Sequence, residues 1–137
     1  ALKGINDNFS FNYIFKTDDD QTLIRPSFFP NICNLLKHKT PQSHYGGFIL
    51  NINEHISRYW TVHSCLPKNI LLKKTSYANG RFYYLSLEAV KNLITHKSKI
   101  ETHYIEDHAI GLYLDAVYKE NMIQFDTRKI FCDNTSV

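Results

Sequence analysis

Two carboxylate clusters in the 137-residue chain have the makings of chemistry: Asp18-Asp19-Asp20 and Glu106-Asp107. Carboxylate oxygens are the hard donors that Mg²⁺ and Mn²⁺ take. A cation held by the triplet would bridge two phosphates and neutralise charge developing on a diphosphate leaving group. The plainer reading of such a triplet is a solvated turn. A calcium loop fails on spacing: counted from Asp18, the sixth position is Leu23 where the loop needs Gly, and the twelfth is Phe29 where it needs Glu. Glu106-Asp107 also reads in two ways. Acids at a helix N-terminus serve as caps and dipole partners. The same position can aim a carboxylate into a cleft, where it takes a proton from an attacking hydroxyl. One acidic site for a metal and a second for a base make a coherent pair.

Other chemistries find less support. The seven histidines form no H-x-x-x-H or H-E-x-x-H pattern, and only His108, beside Asp107, stands near an acidic cluster. No G-x-S-x-G, P-loop or G-x-G-x-x-G occurs. Cys33, Cys65 and Cys132 are spaced too widely for a metal knuckle and allow at most one internal disulfide. The net charge of +3 comes from scattered lysines and arginines with no basic stripe, which argues against a nucleic-acid groove. No apolar run reaches membrane-spanning length. With 43% hydrophobic and 21% charged residues the chain reads as one folded domain able to bury a core. Its 14% aromatic share favours strand-rich structure.

The elements that must position the acids follow from local pattern. A helix tail over Ala1–Asp7 precedes Phe11–Lys16, where aromatics alternate at 11, 13 and 15 as on a strand. Asp is a poor strand former and like charges repel, so the triplet belongs on the loop just past that strand, at a sheet edge where ligands bind in open α/β folds. A short helix is expected over Asn31–His38, behind Pro26 and Pro30. Gly46–Asn53 and Ser57–Ser64 read as β-segments, and Pro67–Thr75 as an irregular connector. Tyr77-Ala78-Asn79-Gly80 reads as a turn leading into a strand over Arg81–Leu85. Ser86 is a good N-cap for a helix over Leu87–Thr95. Ile100–Ile105 reads as extended. Glu106 then opens a helix with Ile110, Leu114 and Val117 on one face, and Met122–Phe125 reads as a last strand. The fold class is α/β.

Three segments, in order, resemble one family. Tyr13-Ile14-Phe15-Lys16-Thr17-Asp18-Asp19-Asp20 resembles the hydrophobic-K-T-D-D-D segment of glycosyltransferase family 31, which holds β-1,3-galactosyltransferases, β-1,3-N-acetylglucosaminyltransferases and the Fringe enzymes. Tyr77-Ala78-Asn79-Gly80, followed by Phe82-Tyr83-Tyr84-Leu85-Ser86, is similar to its Y-P-x-Y-x-x-G-x-G-Y-x-L-S region. Ile105-Glu106-Asp107-His108-Ala109-Ile110-Gly111-Leu112 is similar to its E-D-V-x-x-G motif. Together they cover roughly Phe11 to Leu114.

The resemblance implies a GT-A fold, an inverting mechanism, a UDP-sugar donor, a glycan, protein or lipid acceptor, and Mn²⁺ or Mg²⁺ as cofactor. By the same resemblance Asp18 and Asp20 would hold the metal, with Asp20 the direct ligand, and Asp18, Asp19, Gly80 and Glu106 would line the donor. Asp107 would be the catalytic base, and Tyr59 or Trp60 would stack against an acceptor sugar. The chain departs from the family at Gly80-Arg81-Phe82, where paired glycines are usual, and at His108, where Val is usual. A late metal-ligating histidine has no counterpart between Met122 and Val137. The resemblance further implies that residues 1–137 form one partial GT-A domain, with the N-terminal nucleotide-binding part outside it and little activity expected of the piece alone. The alternative is a catalytically degenerate GT-A relative that binds carbohydrate or protein. Abundant Asn, Ile and Lys suggest an AT-rich genome, viral or protist. The site of action would then be the cytoplasm, against the Golgi lumen for animal members of the family.

Overall fold

A computed structural model describes residues 2–8, 10–18 and 20–133. Its frame is a four-stranded mixed sheet in the order β1 (Tyr13–Thr17), β6 (Thr75–Ser86), β3 (Tyr45–Ile52) and β7 (Ile123–Gln124). β6 pairs antiparallel with both β1 and β3, while β3 and β7 run parallel. Two small ribbons flank it: β2 (Gln21–Leu23) with β8 (Phe131–Asp133), and β4 (His55–Ile56) with β5 (Leu71–Leu72). The helices are α1 (Leu2–Asn8), α2 (Phe28–His38), α3 (Leu87–Thr95), α4 (Lys97–Ile100) and α5 (Glu106–Tyr113).

The twelve-residue β6 divides the core because alternate side chains leave a strand on opposite faces. Tyr83 and Leu85 point toward Ala89, Val90 and Leu93 of α3 and Ile110 of α5. Phe82 and Tyr84 point the other way, toward Ile32 and Leu36 of α2 and toward Ile130 and Phe131. That second face is built of rings: Phe82 stacks on Phe131 at 5.5 Å, and Phe28 meets Phe82 edge-on at 5.3 Å.

Several expectations are corrected. Tyr77–Gly80 does not turn the chain; it lies within β6. Its turn-forming residues make a bulge instead: Gly47 pairs with Tyr83 and Ile49 with Ala78, so Asn79–Phe82 stand opposite Phe48 alone. Asn79 supports the kink by accepting the Arg81 amide at 3.0 Å. Gly47, at φ +154°, is the residue on β3 that meets it. Ser57–Ser64 is not a strand but holds a 3-10 turn, Tyr59–Thr61, tied by Thr61 and Val62 amides to Arg58 and Tyr59 carbonyls. Ile100–Ile105 is not extended throughout, since α4 and its turns consume the first part. α2 starts three residues early because Pro30 fits its first turn, where no amide is needed. β7 is two residues long and not the last strand. α5 ends at Tyr113, so Ile110 and Leu114 are buried while Val117 is 57% exposed.

Other expectations hold. β1 ends at Thr17, the triplet follows it, and the Ser86 hydroxyl caps α3 by accepting the Ala89 amide at 3.0 Å. Glu106 and Asp107 open α5. The three cysteines are free and exposed.

Candidate functional site

Asp18 and Asp20 lie between two strands, with β1 ending at Thr17 and β2 starting at Gln21. The Asp18 amide donates to the Arg81 carbonyl at 3.3 Å, which pins the segment beside the bulge of β6. Asp18 is half-exposed and Asp20 exposed, with the Asp20 carboxylate accepting from Gln21 Nε2 at 3.2 Å. Asp19, expected to line the donor, lies outside the described residues.

Lys16 connects this segment to the second acidic cluster. Its ammonium donates to Asp18 Oδ1 at 2.7 Å and to the Gly80 carbonyl at 2.5 Å, and it lies 5.7 Å from the centre of the Tyr83 ring. Gly80 in turn donates its amide to Asp107 Oδ2 at 2.9 Å. The two carboxylates, remote in sequence, are thus joined through one lysine and one glycine.

Asp107 reaches Gly80 because α5 lies almost against β6. Gly111, four residues further along the helix and on the same face, makes this approach possible: a methyl group there would run into Tyr77 Cβ and the Ser76 carbonyl. A methyl at Gly80 would stand 3.3 Å from Asp107 Oδ2 and 3.6 Å from Lys16 Nζ. Gly80, expected to line the donor, thus has its backbone drawn up against a carboxylate of this chain.

Burial raises the Asp107 carboxyl above the ordinary aspartate range; the Gly80 and His108 amides, then the charges of Lys16 and His108, oppose that rise. An aspartate so placed accepts a proton more readily than one in water. Glu106 is exposed, with its carboxylate facing the Tyr83 phenol. Burial, reinforced by Glu106, pushes the Tyr83 phenol far up, and burial does the same to Tyr45 and Tyr77. The three phenols stay protonated around Asp107 at neutral pH. His108 is buried, its Nε2 donating to the Lys73 carbonyl at 2.9 Å.

Of the two aromatics expected to face an acceptor, Tyr59 neighbours the Tyr77 phenol and so adjoins the Asp107 surroundings. Trp60 carries the Lys68 ammonium 5.1 Å from its ring centre. Lys16, Tyr77 and Tyr83 join the site beyond the residues the sequence points to, although all three stand inside its motif segments.

Among the described residues no group of three or more His, Cys, Asp or Glu side chains is disposed to hold a metal ion. Asp18 and Asp20 nevertheless offer the oxygen donors that suit Mg²⁺ or Mn²⁺, which commonly take one or two carboxylates and complete the shell with phosphate and water. Among the described residues no helix is long and apolar enough to cross a membrane. No curated protein matches the chain. A family model described as Galactosyltransferase matches residues 1–122.

Proposed function

The chain belongs to the galactosyltransferase family of the glycosyltransferase family 31 type, and on that premise we propose that it moves a sugar from a UDP-sugar to an acceptor hydroxyl with inversion. The observation that carries the reading is the join between the acidic triplet and Asp107 through Lys16 and Gly80. It supports a single site with a donor end and an acceptor end.

At the donor end Asp18 and Asp20 would hold Mn²⁺ or Mg²⁺, with Asp20, unencumbered by Lys16, the direct ligand. A cation bound there would neutralise charge on the departing diphosphate. Asp19, Gly80 and Glu106 are proposed to line the donor. At the acceptor end Asp107 takes the proton from the attacking hydroxyl. Inversion follows when that hydroxyl enters opposite the leaving UDP. Tyr59, near Asp107 through Tyr77, is the better placed of the two aromatics for stacking on a sugar. A GT-A organisation, with this chain as its C-terminal portion, is part of the same proposal.

The test is calorimetric titration of UDP into the full-length protein, with Mn²⁺ and then with EDTA, followed by assay of sugar transfer. Metal-dependent UDP binding with transfer is the expected result. A folded protein that binds no UDP in either condition would overturn the reading in favour of a non-catalytic carbohydrate- or protein-binding relative.

A further inference from the structure

We propose that Lys16 is a positioning residue of the transfer reaction: its ammonium ties the Asp18 carboxylate to the Gly80 backbone that holds Asp107, so one cation sets both the donor-side acid and the acceptor-side base. The inference rests on the reading of Asp107 as the base.

The argument starts from Gly80. It falls in the bulged stretch of β6, beyond the last β1 pair, Thr17 with Phe82, and between the β3 pairs at Ala78 and Tyr83. Neither neighbouring strand is in register with it. Its two polar backbone groups are taken by side chains instead, the amide by Asp107 and the carbonyl by Lys16. A glycine without ladder partners has wide backbone freedom, and the Lys16 contact removes it on the carbonyl side. Lys16 itself is held in place by β1, where it pairs with Tyr83, whose ring lies under the ammonium.

The other groups facing Asp107 do not duplicate this role. Tyr45 of β3 and Tyr77 and Tyr83 of β6 are neutral phenols, Glu106 is an acid on the same helix, and His108, whose charge also opposes the rise at Asp107, stands on that same helix with its ring on the Lys73 carbonyl. Lys16 is the ammonium brought to Asp107 from another element. Removing it frees the Gly80 carbonyl, loosens the amide that orients Asp107, and withdraws a positive charge that favours the ionised base.

Three measurements test the proposal together: ¹³C carboxyl NMR titration of Asp107 in this chain, thermal melting, and transfer kinetics in the full-length protein. Lys16→Met should fold, raise the Asp107 midpoint, and lower kcat on the order of 10- to 100-fold, the scale of a misplaced catalytic group. Lys16→Arg, which keeps the charge, should return the midpoint toward wild type. Should the Met variant not fold, Lys16→Gln removes the charge with a hydrogen-bonding head retained and is read the same way. An unchanged midpoint in the uncharged variant overturns the proposal, and so does an unchanged kcat in an enzyme whose wild type transfers sugar. A wild type without transfer overturns the function reading instead, while the NMR titration still decides whether Lys16 sets Asp107.

Discussion

The Gly80 amide points at Asp107 Oδ2 over 2.9 Å, joining the middle of the central strand to the first turn of a helix 27 residues further on. The contact holds the carboxylate in one orientation and leaves its other oxygen on the His108 amide at 2.8 Å. Two backbone donors would hold Asp107, as the proposed base, in position before an acceptor arrives.

Asp107→Asn should therefore keep UDP binding and lose transfer. The expected fall in kcat is roughly 100- to 10,000-fold, the usual worth of a general base. Paired calorimetry and kinetics on the full-length protein check it, and normal turnover would move the base elsewhere.

The pH dependence has a definite sign. A base must be ionised, so kcat should rise with pH along a limb displaced above the ordinary aspartate range, in the direction burial moves Asp107. Stability moves oppositely. A carboxyl whose folded pKa is raised contributes most below the unfolded value, 3.8, and loses that contribution as pH climbs through the folded one. The melting temperature of wild type relative to Asp107→Asn should accordingly decline over that window. A difference independent of pH would show that Asp107 is not shifted upward.

At the donor end, Asp20→Ala should abolish Mn²⁺-dependent UDP binding while leaving the melting temperature of the metal-free protein nearly unchanged, since the side chain is exposed. Unaltered Mn²⁺-dependent affinity would sink the metal assignment.

Gly111→Ala tests the helix-to-strand approach. The added methyl meets Tyr77 Cβ and the Ser76 carbonyl, neither of which is a flexible side-chain end. Overpacking of this kind costs about 1–3 kcal/mol. Denaturant unfolding should show that loss, and the displaced helix should carry Asp107 away from Gly80, lowering kcat further than the same loss of stability from Ser86→Ala, a cap change worth about 1 kcal/mol.

Legibility in the sequence followed the range of the interactions. Local signals were readable: the aromatic alternation of β1, the Ser86 cap, the acids opening α5. So was the ordered trio of motif segments, confirmed at family level by the match over residues 1–122. What escaped was set by distant partners. Tyr77-Ala78-Asn79-Gly80 has the composition of a turn, but pairing with β1 and β3 on either side keeps the chain extended and turns the same residues into a bulge. Val117 continued a helical stripe that Leu114 had already ended, its φ −62°, ψ 128° taking the chain out of the helix. The role of Lys16 depends on a contact 64 residues away and leaves no periodic trace.

The two faces of β6 have different evolutionary freedom. Tyr83, Leu85 and Ala78 share a packed layer with α5 and hence with Asp107, while Phe82 and Tyr84 pack against α2, the β1 rings Tyr13 and Phe15, and the rings around Phe131. An exchange of one ring for another among Phe28, Phe29 and Phe131 should register chiefly in melting temperature. On the opposite side any change of volume is also a change in aim.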